Sequence, residues 1–266
     1  MQPGDVEAVV AVGSATLWSG GPEEGWWRTA RIEHVLSTDP DGAWVAEDGG
    51  EVVGGSMALI RERTWGLSFL AVAERARGLG AGRELVRAAC TTLDRAEAGL
   101  ILSSEHPAAM RLYATSGFAL RPCVACAGQV RFRPERPNEV RDLGEDDVPW
   151  MDDVARTVRG GPYSRELHLW TVRDAMIVGV EQRGWLAALG PRLLTLVALD
   201  EEAATLLLRA YLAGTPEATV DFISAGHDWA IAECLAAGLA LSPDGPLYVR
   251  GTPGTLAPYL PNGAFL

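Results

Sequence analysis

The chain repeats itself. Ser103–Leu120 and Ser224–Leu241 align at a constant offset of 121 residues, with Ser103, His106, Ala109, Gly117, Ala119 and Leu120 meeting identical residues. Each copy reads as a strand end, a helix and a return strand entered through glycine. Upstream, Leu194–Ala198 and Glu202–Ala213 repeat the strand–helix pair Leu67–Val72 and Gly82–Leu93. Register of this kind requires one backbone plan to serve both copies. The expected fold is therefore α/β with a mixed sheet, built as two tandem units. The 266 residues are enough to give each unit a core of ordinary size.

Hydrophobic periodicity fills in the first unit. Asp5–Leu17 and Trp26–Leu36 read as helices, separated by the turn-rich loop Trp18–Gly25. Ala43–Glu47 and Glu51–Ile60 form a hairpin about Asp48-Gly49-Gly50. Leu67–Val72 is a strand, Gly82–Leu93 an amphipathic helix and Leu100–Ser103 a short buried strand. Pro107–Ser116 is a helix with proline at its start and Gly117 past its end. Phe118–Phe132 returns as a long strand. Arg133-Pro-Glu-Arg-Pro-Asn138 then carries two prolines and alternating charge. Residues 1–132 and 139–266 are accordingly expected as two domains joined by a linker at 133–138.

Charge and composition exclude several functions. The net charge of −12 argues against general binding to nucleic acid or anionic membranes and mildly favours a cationic acceptor such as an amine. All 23 basic residues are arginine. No Schiff-base or phosphate-loop lysine can therefore operate. Cys123 and Cys126 form an isolated C-x-x-C on a segment that reads as a strand, where positions three apart face opposite ways, so no metal site is expected. Met1–Asp5 has no basic segment and Val6–Leu17 is broken by Glu7 and Gly13. With no apolar run of membrane-spanning length, a cytoplasmic protein is expected.

The chemistry concentrates at Leu70–Arg83. A strand runs into a loop holding Gly78, Gly80 and Gly82, and the loop opens a helix. Helix-start N–H groups, close backbone approach at glycine and the helix dipole together make an anion site, to which Arg75, Arg77 and Arg83 add charge. A pyrophosphate suits it. The glycine spacing does not fit the dinucleotide fingerprint.

Arg75-Ala-Arg-Gly78-Leu-Gly80 resembles the R/Q-x-x-G-x-G/A cofactor signature of the GNAT superfamily. Ala109-Met-Arg-Leu112-Tyr113-Ala-Thr-Ser-Gly117-Phe118 resembles that family's A-x-x-L-Y-x-x-x-G-F segment. The resemblance covers about residues 1–132. It implies an acetyl-CoA-dependent acyltransferase in which amides of Gly78, Leu79, Gly80, Ala81 and Gly82 hold the pyrophosphate. It also implies pantetheine pairing with the backbone of Leu70, Ala71 and Val72, cofactor contacts from His106, Ala109 and Leu112, and Tyr113 as the acid that protonates the departing thiolate. Many relatives carry asparagine at the position of His106. This residue either meets the pantetheine arm, serves as a base, or simply begins a helix near solvent.

A small-molecule amine acceptor, direct attack in a ternary complex and a monomer or homodimer are the matching expectations. The base is open among Glu23, Glu24, Glu33, Glu105 and ordered water, and the acceptor is expected near Trp18, Trp26 and Trp27. A non-catalytic acyl-CoA sensor, or an O-acyltransferase or thioester-cleaving enzyme, are the alternatives. The second copy replaces the glycine loop with the acidic Leu199–Glu202 and places Cys234 where Tyr113 would stand, so no acyl-CoA binding is expected there. The apolar tail Gly251–Leu266 packs on the body, or else brings Tyr259 or the Leu266 carboxylate to the first cleft.

Overall fold

The computed structural model describes residues 1–18 and 25–266. Along the chain these form α1 (Val6–Thr16), α2 (Gly25–Thr38), β1 (Ala43–Asp48), β2 (Glu51–Arg61), β3 (Thr64–Val72), α3 (Ala81–Ala89), β4 (Ala98–Leu102), α4 (Pro107–Thr115) and β5 (Ala119–Gln129). The second half contributes β6 (Arg141–Asp142), α5 (Val148–Arg159), α6 (Ser164–Thr171), β7 (Met176–Val180), β8 (Gly184–Leu189), β9 (Arg192–Ala198), α7 (Glu201–Gly214), β10 (Glu217–Ser224), α8 (Asp228–Ala236), β11 (Ala240–Gly251) and β12 (Tyr259–Leu260). The order of strands and helices follows the expected repeat. The chain divides into two compact units, Met1–Ile60 with Trp65–Gly99, and Arg61–Thr64 with Leu100–Leu266.

In the first unit β1 pairs antiparallel with β2, and β3 lies on the other side of β2. Side chains alternate across a strand, so neighbouring positions of β2 report the layers above and below it. A Cβ at Gly54 would stand 3.0 Å from Leu85 on α3, and one at Gly55 would stand 3.3 Å from Val9 on α1. Helices therefore cover both faces, which explains why Val53 through Leu59 is buried without interruption. Val9, Ile32, Met57, Trp65, Phe69 and Val86 fill the two layers.

The second unit departs from a simple repeat. β5, which closes the first sequence copy, pairs antiparallel with β10 (Glu217↔Gln129 to Ser224↔Cys123) and with β11 (Ala240↔Ala127 to Val249↔Ala119). β11, the return strand of the second copy, lies between β5 and β4. Each copy's return strand thus sits beside a strand of the other copy. Arg133–Asn138 consequently runs inside the second unit rather than between two units. β9, β8, β7 and β6 continue by antiparallel pairing. α7 lays Leu207, Leu208, Tyr211 and Leu212 into the core of this unit.

A buried ion pair secures Arg61–Thr64 to this unit. Arg61 is 2% exposed and Glu166 0%, and Arg61 Nε donates to Glu166 Oε1 at 2.7 Å. Thr64 Oγ1 donates to the Arg159 carbonyl at 2.5 Å. Removing one charge leaves the other buried without its ion-pair partner. Glu166→Ala is expected to lower the unfolding free energy by about 3–5 kcal/mol, and the double change Arg61→Met with Glu166→Leu to cost less. Urea denaturation of the three variants checks the order.

Candidate functional site

β3 leads into a short helical turn, Glu74–Ala76, and then into the glycine loop. Gly78 and Gly80 have φ of +81° and +98°, a left-handed conformation that side chains resist, and Gly80 is the residue that caps α3. A Cβ at either position would meet nothing within 4 Å, so the backbone of the loop is open to a ligand. Arg83 N and Glu84 N turn back to the Gly80 carbonyl at 3.0 and 3.1 Å, starting the helix there. This is the strand, glycine turn and helix start that an anion needs. The arginines are exposed but partly engaged. Arg75 pairs with Glu51 at 2.6 Å, and Arg77 Nε reaches the Val72 carbonyl at 3.4 Å. Arg83 is exposed on the first turn of α3. Leu70 and Val72 are half-buried and Ala71 buried at the end of β3, and Leu79 projects from the loop with 76% of its surface exposed. Ala81 and Gly82 begin α3. An open groove of about 990 Å³ runs from α1, at Ala11, Ala15 and Thr16, to Glu51 and Arg75.

α4 carries the other candidates. Tyr113 is 5% exposed, its ring 5.5 Å from that of Tyr248 in an edge-on contact. Burial first, and the neighbouring Tyr248 phenol second, push its pKa well above the usual tyrosine range. Ala109 and Leu112 are half-buried on the same helix. His106 is the N-cap of α4: it is exposed, and its Nδ1 accepts the Ala108 N–H at 3.2 Å. Of the expected roles the geometry supports the helix cap, since an N-cap acceptor satisfies an otherwise orphaned amide. Of the base candidates, Glu33 and Glu105 are exposed, while Glu23 and Glu24 lie outside the described residues.

The second copy's version of each feature is altered. Asp200 N-caps α7, its Oδ1 accepting from Ala203 N at 2.9 Å, and Arg183 pairs with Asp200 and Glu202. The helix start that would take a phosphate thus holds a carboxylate. β9 and β10 are parallel but share only Thr219↔Arg192, and β12 pairs with β9 at Tyr259↔Val197 and Leu260↔Leu196. Asn262 donates to the Leu194 carbonyl at 3.0 Å, and the Leu266 main-chain oxygen takes bonds from Arg159 and Tyr163. The tail therefore occupies the edge of its own unit's strand. The expectation that Tyr259 or Leu266 serves the first cleft is not met: Tyr259 is buried, and its hydroxyl lies 2.9 Å from that of Tyr163. Backbone pairing with β9 decides this, and no sequence pattern in the tail announces it.

His227, the counterpart of His106, is 2% exposed. Its Nε2 accepts from Tyr259 N at 3.0 Å and its Nδ1 faces the Ser224 carbonyl at 3.0 Å. The carbonyl requires a donor, so Nδ1 carries the proton. Two identical residues in register hold opposite tautomers. Cys123 and Cys126 are buried on β5. Among the described residues no group of three or more His, Cys, Asp or Glu is placed to hold a metal, and no helix is long and apolar enough to cross a membrane.

A strand, a glycine turn with left-handed residues and a helix start, within a sheet covered on both faces, define a mixed α/β unit with open backbone at the start of α3. Residues 14–118 match the acetyltransferase (GNAT) family model. Comparison with curated proteins gave no match. Among solved structures the chain is similar to a candidate acetyltransferase from Pyrococcus horikoshii, with a TM-score of 0.79 at 18% identity over 100% of this chain and 92% of that one. It is also similar to GCN5-related N-acetyltransferases from Kribbella flavida (TM-score 0.60, 18% identity, 94% of this chain and 69% of that one) and Sphaerobacter thermophilus (TM-score 0.55, 15% identity, 96% and 95%). These likenesses are of fold, and they extend over both halves of the chain.

Burial lowers the His227 pKa below 6.5. The unfolded chain therefore binds a proton more readily, and this contribution to stability is complete above about pH 6.5 and is lost as pH falls through the folded value. Thermal melting from pH 8 to pH 5 is expected to fall less steeply in His227→Gln than in the parent chain.

Proposed function

We propose that the chain is an acetyl-CoA-dependent N-acetyltransferase acting on the amine of a small molecule. The observation that carries this reading is the open glycine turn at Gly78–Gly80 capping α3, within the segment that matches the family model. The amides from Gly78 to Gly82 hold the pyrophosphate, and the exposed Arg77 and Arg83 lower the cost of bringing an anion to a protein of net charge −12. The backbone of Leu70–Val72 aligns the pantetheine arm. Acetyl-CoA supplies a thioester carbonyl as the acyl donor.

The acceptor amine attacks this carbonyl directly once it is neutral, because no side chain here is arranged as a covalent nucleophile among the described residues. As the C–S bond breaks, the thiolate takes a proton from Tyr113. The raised pKa of this phenol keeps the proton in place at neutral pH until negative charge develops nearby. Water relays the proton from the amine. The protein acts in the cytoplasm as a monomer or homodimer, without a metal.

Calorimetry with acetyl-CoA tests the first step. The parent chain is expected to bind with micromolar affinity, and Gly80→Asp, which adds a negative charge at a left-handed position, to lose at least about tenfold. Tyr113→Phe is expected to bind acetyl-CoA unchanged while thiol release with an amine acceptor falls by about 10²-fold or more. Binding without thiol release from any amine marks a non-catalytic acyl-CoA-binding protein instead.

A further inference from the structure

Tyr113 is aimed without a hydrogen bond of its own. Among the described residues its hydroxyl meets neither a donor nor an acceptor, although the residue is only 5% exposed. A phenol unbonded at its oxygen can give up its proton without first breaking a bond within the protein. The same freedom means that nothing at the oxygen fixes where it points. On a helix a long side chain has two favoured χ1 settings, so the packing of the ring must choose the direction.

Tyr248 of β11 supplies that packing. The two ring centroids lie 5.5 Å apart with the planes at 69°, the edge-on arrangement that aromatic pairs favour. Tyr248 is 0% exposed, and its hydroxyl donates to the Met110 carbonyl at 2.7 Å. Met110 stands one turn before Tyr113 on α4. One side chain therefore holds the same stretch of α4 twice, by its ring and by its oxygen. Its own backbone is fixed in the sheet, where Tyr248 pairs with Leu120 of β5, the strand that follows α4. The other copy has a comparable contact. There Cys234 of α8, the counterpart of Tyr113, hydrogen-bonds Cys126 of β5. Each helix is thus met by a strand of the opposite copy, but the aromatic pair occurs only where the tyrosine stands.

We propose that Tyr248, carried by the return strand of the second copy, is a positioning residue for the acid Tyr113, so that the chemistry of the first copy is complete only with the second copy in place. The inference rests on the acyltransferase reading. The phenol must already face the sulfur when the C–S bond breaks, and a displacement of about 1 Å at such a point can cost about 10²-fold in rate. Tyr248 transfers no proton itself, because its hydrogen is committed to the Met110 carbonyl. It acts by holding the ring of Tyr113 on one heading. A half of the chain that lacks the glycine loop thereby gains a part in the reaction.

Thiol release from acetyl-CoA with an amine acceptor is measured for the parent chain, Tyr248→Leu, Tyr248→Phe, Tyr113→Phe and the two double variants. Tyr248→Leu removes the ring and is expected to lower kcat about 10-fold or more, with the calorimetric affinity for acetyl-CoA unchanged. Tyr248→Phe keeps the ring and loses the bond to Met110, and a smaller loss of about two- to fivefold is expected. In the Tyr113→Phe background neither change is expected to lower kcat further, because a residue that acts through the Tyr113 hydroxyl then has nothing to position. A purely structural contact would lower kcat alike in both backgrounds. Tyr248→Phe fills nearly the same space, which keeps the comparison decisive if Tyr248→Leu fails to fold. Parental kcat in the folded Tyr248 variants, or equal losses with and without the Tyr113 hydroxyl, overturns this inference alone. Thiol release that is absent from the parent chain, or unaltered by Tyr113→Phe, overturns the reading beneath it and this inference with it.

Discussion

The second unit depends on the two-sided backbone pairing of β5. A strand that belongs to the first sequence copy takes its hydrogen bonds from β10 on one edge and β11 on the other, and both partners come from the second copy. Each unmade bond would strand a buried amide or carbonyl. β5 cannot be withdrawn without opening the sheet on both sides. Arg133–Asn138 is therefore a connection between copies in the sequence and an interior link of one compact unit in space. The reciprocal position of β11 beside β4 completes the exchange.

The same plan, used twice, is equipped only once. At the end of β3 the chain turns through left-handed glycines and presents bare backbone at the start of α3. At the end of β9 it turns through Asp200, whose carboxylate is already bonded to the start of α7. Beside β9 the gap left by limited pairing with β10 is occupied by β12, with His227 and Tyr163 bonding the segment that contains it and Asn262 of that segment donating to the Leu194 carbonyl of β9. One copy is open where it would meet a diphosphate, and the other meets its own chain. That contrast is why the proposed chemistry is assigned to the first half.

Electrostatics adds a local rule to a global one. The chain is acidic, and most of its ion pairs are exposed and weak contributors. The charges with consequences are the buried ones: Arg61 held by Glu166, Arg159 held by main-chain oxygens, and Arg31 with a single carbonyl. The first two are met within the fold. Arg31 is met by the Ser68 carbonyl and by the face of the Trp18 ring.

Sequence alone determined the repeat, the order of elements and the glycine loop, because these depend on short-range chemistry. Periodicity placed α3 and α4 within a few residues, and glycine spacing identified the start of α3. The Tyr113 position was legible as a motif. What lay beyond reach depended on partners distant in the chain. His106 and His227 align in register, yet one caps a helix in solvent and the other is buried and anchors Tyr259, because burial and the second bond come from the tail. The exchange of β5 and β11 was equally hidden, since a strand's residues show that it pairs but not with which strand. Arg28 and Arg31 belong to no motif, and their spacing on one helix face is the only trace of them in the sequence. Only the tertiary structure placed Trp18 beneath both and the Ser68 carbonyl beside Arg31, because contacts between a helix and a strand 37 residues away are set by packing, not by local pattern.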